Sequence, residues 1–494
     1  MAARLDLAGK GWHALLAALA VLLGLGAGID PAIGLAAAIG LAFVVLVLGD
    51  LTIGLCLFAI VAFLDVLPHL GGSALSFTKV VGFLLAVSWL AKVSSSDDSR
   101  NDFMAAHPTF SYVLALFVFL VALSLTWAEE PGEGTTPLLR YTLNLVLFLI
   151  VFTAVRTPKA FMWTVGAYVL GASVAAGYGV LNPPQDVAYY DVTRVGGTIG
   201  DPNQLAAILV GGTILAAGLA AALKQWPLLR VAAVGASALC AAGIFLSLSR
   251  GGLVALAFAL VAAVVVAGRW RAQALTLAAV VAAGAFCYYG FVASHDAIDR
   301  VTSFGNGTGR TDIWTVGWRM VKAHPVQGVG AGNFQTASIH YLLEPGAIKR
   351  DEFIVDTPKV AHNTYLQVLA ELGIVGAVLF ISIILFSLLC ILRAARLFAR
   401  LKQTSMELLS RAMLVALTGV LAADFFISEE FSKQLWLLLG LGPALLGIAR
   451  SLERDPARDG WEGPEGSGGA AEGDGQGRLA LPSARLAGRG ASAG

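Results

Sequence analysis

Apolar residues along this chain come in continuous runs of 16 to 21, broken by short polar stretches. Runs of that length match the hydrocarbon core of a bilayer when coiled as helices, whereas the strands of a membrane barrel alternate in polarity. Fourteen such runs are legible, at about 13–29, 32–48, 51–67, 78–93, 109–127, 138–155, 161–181, 203–222, 230–248, 252–267, 274–293, 373–392, 412–428 and 434–449. The expected fold is therefore an all-α polytopic membrane protein of about 12–14 transmembrane helices. One break is unlike the rest: a polar loop of about 68 residues, Ala293 to Ala361, expected to contain short helices. Four regions follow: an N-terminal transmembrane bundle (1–293), the large loop with part of a site (294–361), the C-terminal transmembrane helices (362–452) and a tail (453–494).

Composition agrees with the pattern. Of 494 residues, 57% are hydrophobic and only 13% charged, about half the charged share of a soluble protein. The 56 glycines suit helices packed closely in lipid. A net charge of +1 implies no general attraction to nucleic acid. Cys56, Cys240, Cys287 and Cys390 are scattered through apolar runs and read as small core residues. The tail is rich in glycine, alanine, serine and charge without a periodic apolar face, and reads as disordered and cytoplasmic.

Charge fixes an expected orientation. With the N-terminus inside, the inner loops hold Arg4 and Lys10; Lys92 and Arg100; Arg156 and Lys159; Lys224 and Arg230; Arg269 and Arg271. The stretch from Arg393 to Arg411 carries five basic residues, while a short outer loop reads Glu129-Glu130-Pro131-Gly132-Glu133. The positive-inside rule then puts the large loop outside the cytoplasm.

Within that loop, Thr311-Asp312 reads as a helix start and Pro325 as its end. Trp314, Trp318 and Met320 make this helix too apolar to be bathed in solvent, so it should rest on the bundle or the membrane surface. The series Gly328, Gly330, Gly332 lacks the strand and βαβ unit of a dinucleotide motif and reads as a tight turn, with close approach of backbone to a substrate as the alternative. His362 and Asn363 stand where the chain re-enters the membrane. Because His324 and His340 are scattered, no metal cluster is formed at ligand spacing; a neutral imidazole at 362 could act as a base, a form that nearby positive charge favours.

Arg250 sits in an outer turn, Ser249-Arg250-Gly251-Gly252, against the charge bias, and the flanking glycines should leave its head group open. Arg194 and Asp201 share another outer loop, and Arg310 adds a third outer guanidinium. Each alone reads as an interfacial side chain. Together with His362, three arginines facing one compartment suggest a phosphate-bearing lipid, because the guanidinium fork grips phosphate oxygens in pairs. Arg140, near the outer end of its run, reads as snorkelling or as part of a head-group pocket.

Ser249-Arg250-Gly251-Gly252, Gly309-Arg310 with Trp314, Pro325 to Phe334, His362-Asn363 with Tyr365-Leu366, and Glu371-Leu372-Gly373, in that order around a long outer loop, resemble the bacterial O-antigen ligase / O-antigen polymerase superfamily. The resemblance spans roughly residues 190 to 390. It implies a metal-independent, inverting glycosyltransferase with no cofactor in the bacterial inner membrane, its site facing the periplasm or cell exterior. Its partners would be an undecaprenyl-diphosphate-linked glycan, an acceptor glycan or glycolipid, and membrane lipids. By the same resemblance, Arg250 and Arg310 hold the diphosphate and His362 activates the acceptor hydroxyl, while Arg194, Asp201, Asn363 and Arg140 line the substrate site. The rival reading is a lipid-linked oligosaccharide flippase or other transporter, which should show two similar halves and charge at mid-membrane. Neither is seen. A metal-dependent transferase would need acidic ligands in its first outer loop, which here is only Asp30-Pro31.

Overall fold

A computed structural model describes residues 28, 40–41, 44–64, 77–95, 102–183, 193–302, 309–342, 348 and 354–454. The described residues are helical and form no strand. Among the described residues, nine helices are long and apolar enough to cross a membrane, and three shorter apolar ones accompany them. The protein is thus an all-α polytopic membrane protein. Most of the first two expected spans, 13–29 and 32–48, and the tail from 455 onward lie outside the described residues.

The helices are α1 (Leu51–Val61), α2 (Phe77–Ser95), α3 (Pro108–Ser124), α4 (Pro131–Ala154), α5 (Pro158–Leu181), α6 (Pro202–Ala222), α7 (Pro227–Leu246), α8 (Arg250–Val266) and α9 (Arg271–Cys287). The large loop adds α10 (His295–Thr302) and α11 (Arg310–Ala323), and the chain returns through α12 (Thr364–Arg400), α13 (Thr404–Ala423) and α14 (Lys433–Arg454). Five of them open on proline, which gives up no hydrogen bond at the first helical position and presets φ.

The centre of the bundle is α6, 89% of whose spanning window is buried. It packs on α5, α7, α8 and α13. Small residues bring these backbones together: a Cβ on Gly218 would stand 2.5 Å from that of Ala412, and one on Gly252 2.5 Å from that of Ala206. Packing of this kind replaces the hydrophobic drive that lipid does not supply between helices.

Two differences from the sequence reading affect the site. The expected span at 412–428 lies instead at 404–423, because Phe425, Phe426 and Ile427, though apolar, form a non-helical connection to α14. Apolar composition there serves packing inside the protein, which length and hydropathy do not distinguish from spanning. The basic stretch 393–411 is also mostly helix rather than loop, with a turn only at residues 401–403. At that end of the bundle Glu407 of α13 takes a hydrogen bond from Arg411 Nε at 3.1 Å and another from Arg269. Two stretches expected on the same side of the membrane therefore meet.

The large loop has an apolar core of its own, with Ile313, Val316, Met320, Phe334 and Leu366 packed together. It is fastened where α12 breaks. Gly373 has φ 63° and ψ −168° inside that helix, and the backbone groups freed there are taken up by the loop. Val329 N donates to Ala370 O at 2.9 Å, Gly330 N to Glu371 O at 2.8 Å, and Ile374 N to Pro325 O at 2.9 Å. Such pairing is what an interrupted helix needs in or near lipid. The glycine series is therefore a structural turn: a Cβ on Gly328 would lie 2.3 Å from the Glu371 carbonyl carbon.

Candidate active site

The site begins with the loop that precedes α6. Asp201 caps that helix, its carboxylate accepting from Asn203 N at 2.7 Å and Gln204 N at 2.9 Å. A carboxylate suits the positive end of a helix. Arg194, half-buried, donates through Nε to Ser247 O at 3.0 Å and through a terminal nitrogen to Asn203 Oδ1 at 2.9 Å. The same Asn203 oxygen accepts from Ser249 Oγ at 3.0 Å, and Ser249 caps α8 by accepting from Gly252 N at 3.2 Å. One amide oxygen thus joins the Arg194 loop, the head of α6 and the head of α8, whose first residue is Arg250.

The glycines after Arg250 do not open space for a ligand, as the sequence suggested. A Cβ on Gly251 would meet Phe426 at 2.6 Å, and Gly252 is filled by Ala206. They let the head of α8 press against α6 and the 424–432 connection.

Arg310 opens α11 behind Gly309, which has φ 60°. Its guanidinium is within electrostatic reach of Arg250, Asp201 and Arg300. Burial lowers its pKa, Arg250 and Arg300 lower it further, and Asp201 opposes them. An arginine starts so high that it stays charged. His362 is reached in turn by Arg310, Asp201 and Lys359. Burial is the main cause that lowers its pKa; Arg310 and then Lys359 add to it, and Asp201 opposes. The imidazole is therefore held in its neutral form at neutral pH.

The backbone around His362 is unusual. Its φ is 48°, one of three positive values at non-glycine residues among those described; the others are Leu248 at 49° and Lys402 at 58°. Such a conformation costs about 1–3 kcal/mol and persists only where surroundings impose it. Here they do. Trp314 Nε1 donates to Ala361 O at 2.9 Å, and Ala361 N donates to Gln367 Oε1 at 2.7 Å. Asn363 caps α12, accepting from Leu366 N at 3.0 Å. Thr364 N reaches Asp424 O at 2.9 Å and Ile427 O at 2.8 Å, so the 424–432 connection buttresses the histidine from behind.

Arg310 is thus within electrostatic reach of Arg250, Asp201 and His362, and His362 of Asp201, while Arg194 is tied to the head of α6 through Asn203. Asn363 is adjacent as a helix cap. Arg140 belongs to a different group: it is exposed on α4, with its guanidinium 5.7 Å from the ring centre of Phe431. Its charge acts on Glu430, whose carboxyl pKa is raised chiefly by burial and then by Glu371. Sequence reasoning missed Asn203 and Gln204, and marked Ser249 only as part of the Arg250 motif. Gln204 Nε2 donates to Glu429 Oε2 at 2.9 Å, and Glu429 N donates to Thr364 Oγ1 at 2.8 Å. These links join residues 46 to 225 apart in the chain, which no local pattern announces.

Residues 235–381 match the family model described as O-antigen ligase. That stretch contains Arg250, Arg310, His362 and Asn363, and stops short of the 424–432 connection. No curated protein matches the chain. Over residues 235–381 the chain is therefore similar to the O-antigen ligase family, which supports the O-antigen ligase/polymerase superfamily that its motifs resemble.

Proposed function

We propose that the protein is an inverting, metal-independent glycosyltransferase that moves a glycan from undecaprenyl diphosphate to an acceptor hydroxyl at the outer face of the bacterial inner membrane. The observation that carries this reading is the meeting of Arg250, Arg310 and His362 around Asp201 at one end of the bundle. Two guanidiniums on the first residues of α8 and α11 suit a diphosphate, whose charge grows as the sugar departs. His362, kept neutral, takes the proton from the acceptor hydroxyl. The freed oxygen attacks the anomeric carbon from the face opposite the diphosphate, the carbon–oxygen bond to the diphosphate breaks, and the leaving group carries the electron pair to the arginines. Asp201 balances the positive charge and holds the head of α6. The acceptor is lipid A-core for a ligase or another lipid-linked repeat for a polymerase.

The test is transfer from a lipid-linked glycan by purified protein. His362→Ala is expected to lose about 100-fold or more of the rate while inserting and folding normally; a wild-type rate in that variant overturns the assignment of the base. Arg250→Lys keeps the charge but not the planar fork, and is expected to lose about tenfold or more. A chelator is expected to leave the rate unchanged.

A further inference from the structure

At the other end of the same helices lies a groove that the transfer chemistry does not use. It falls 12 to 19 residues along α6 from Pro202, at Ile214 to Ala221, which is about 18–28 Å from the head of that helix at 1.5 Å per residue. Its walls are apolar and mostly small, with alanines from α6, α8, α9 and α13 such as Ala217, Ala221, Ala274 and Ala412, and with Leu277 and Leu408 among the larger side chains. The space, counted together with the open region at its mouth, is about 570 Å³. It exists because α9 stands away from the bundle. Only Val281 of its 17 residues is buried, and 6% of the spanning window that contains it is buried, against 89% for α6. Alanines are too short to fill the gap that results.

The rim of the groove is polar and basic. Trp270, Gln273 and Arg411 line it. The Trp270 ring has Arg269 at 5.1 Å from its centre and Lys224 at 5.7 Å. Arg269 and Arg411 share one carboxylate, Glu407. Three cations against one anion leave an excess of two positive charges at the mouth of an apolar slot. Arg269 keeps 55% of its side-chain surface open although it bridges to Glu407, so its remaining donors face outward. The Trp270 Nε1 group is buried without a hydrogen-bond partner.

We propose that this groove binds an anionic phospholipid, one acyl chain lying between α6, α9 and α13 and the phosphate seated among Lys224, Arg269 and Arg411. Both halves of the ligand are specified. The apolar walls, embedded in a bilayer, take hydrocarbon rather than water, and the net positive rim selects a head group of net negative charge over a zwitterion. The lipid fills the space that α9 leaves and fastens that helix to the bundle.

The experiment is native mass spectrometry and thermal melting of the full chain in neutral detergent, titrated with dioleoyl phosphatidylglycerol or dioleoyl phosphatidylcholine. Wild type is expected to retain the anionic lipid at least about tenfold more tightly and to melt higher with it. K224Q/R269Q removes two surface cations while Arg411 still holds Glu407, and is expected to abolish the preference. Ala221→Phe fills the slot and is expected to weaken binding of the anionic lipid. Equal retention of the two lipids by wild type, or an undiminished preference in K224Q/R269Q, overturns the proposal. So does an equal rise in melting temperature with inorganic phosphate alone, which would make the rim a simple anion site.

Discussion

A histidine with a positive φ, preceded by Ala361, whose N–H and carbonyl are both hydrogen-bonded, and followed by Asn363, which caps α12, is the most constrained residue of the candidate site. Its lowered pKa gives a definite pH dependence. The imidazole is neutral above its folded pKa, which lies below the ordinary 6.5, so transfer is expected to fall only on the acid side, with its midpoint below 6.5. Between the two pKa values the unfolded chain binds the extra proton, and this residue's contribution to stability therefore rises with pH through that window. Lys359 is exposed and is one of the charges that lower the pKa. Lys359→Gln is expected to move the acid midpoint upward without changing the plateau rate; an unmoved midpoint in the pH–rate profile counts against His362 as the group that titrates.

Among the elements, the joint between the large loop and α12 decides whether the site holds its shape. Gly328 has φ 71°, and a Cβ there would strike the backbone of Glu371. Gly328→Ala is expected to destabilise the protein by about 1–3 kcal/mol, seen as a lower melting temperature; an unchanged melt would mean that the turn is not the fastening described. Trp314 ties α11 to the residue before the histidine. Trp314→Phe keeps the ring and removes one hydrogen bond, worth about 1 kcal/mol. Its expected signature is a reduced kcat with little change in melting, because the loss falls on the geometry of residue 362. The sequence showed this helix and its apolar face, since Trp314, Trp318 and Met320 are dense and adjacent. It did not show the joint, which depends on backbone pairing between residues 40 or more apart.

For the whole molecule, the fold was readable because bilayer thickness translates directly into run length. Most described spans were placed within a few residues at one end or the other; the exceptions are 373–392, which lies inside the longer helix Thr364–Arg400, and 412–428, where Phe425 to Ile427 imitated a membrane segment. His362 was marked by its place where the chain re-enters the membrane, whereas Arg250 and Arg310 drew notice for an electrostatic reason: arginines on the side that the charge bias leaves poor in cations stand out. Arg140 stood out for the same reason but packs over Phe431, because a charge at an interface has more than one use. Asn203 was not picked out, and Ser249 was seen only as part of the Arg250 motif; their mutual hydrogen bond was not legible, as polar residues near helix starts are common. Orientation itself can be checked by labelling. In a Cys287→Ser background, Lys359→Cys is expected to react with an impermeant maleimide added outside intact cells, and Arg400→Cys only after the membrane is opened. The reverse result would turn the whole arrangement over.

The buttress behind His362 has a consequence for how the protein is made. The amide of Thr364 is held by the carbonyls of Asp424 and Ile427, some sixty residues later in the chain. A nascent chain that has inserted Arg250, Arg310 and His362 still lacks the support that sets the histidine's backbone. The backbone of residue 362 is therefore set late in synthesis, once α13 and its connection are in place, and under the proposed function a half-inserted chain would not yet spend an activated lipid on water.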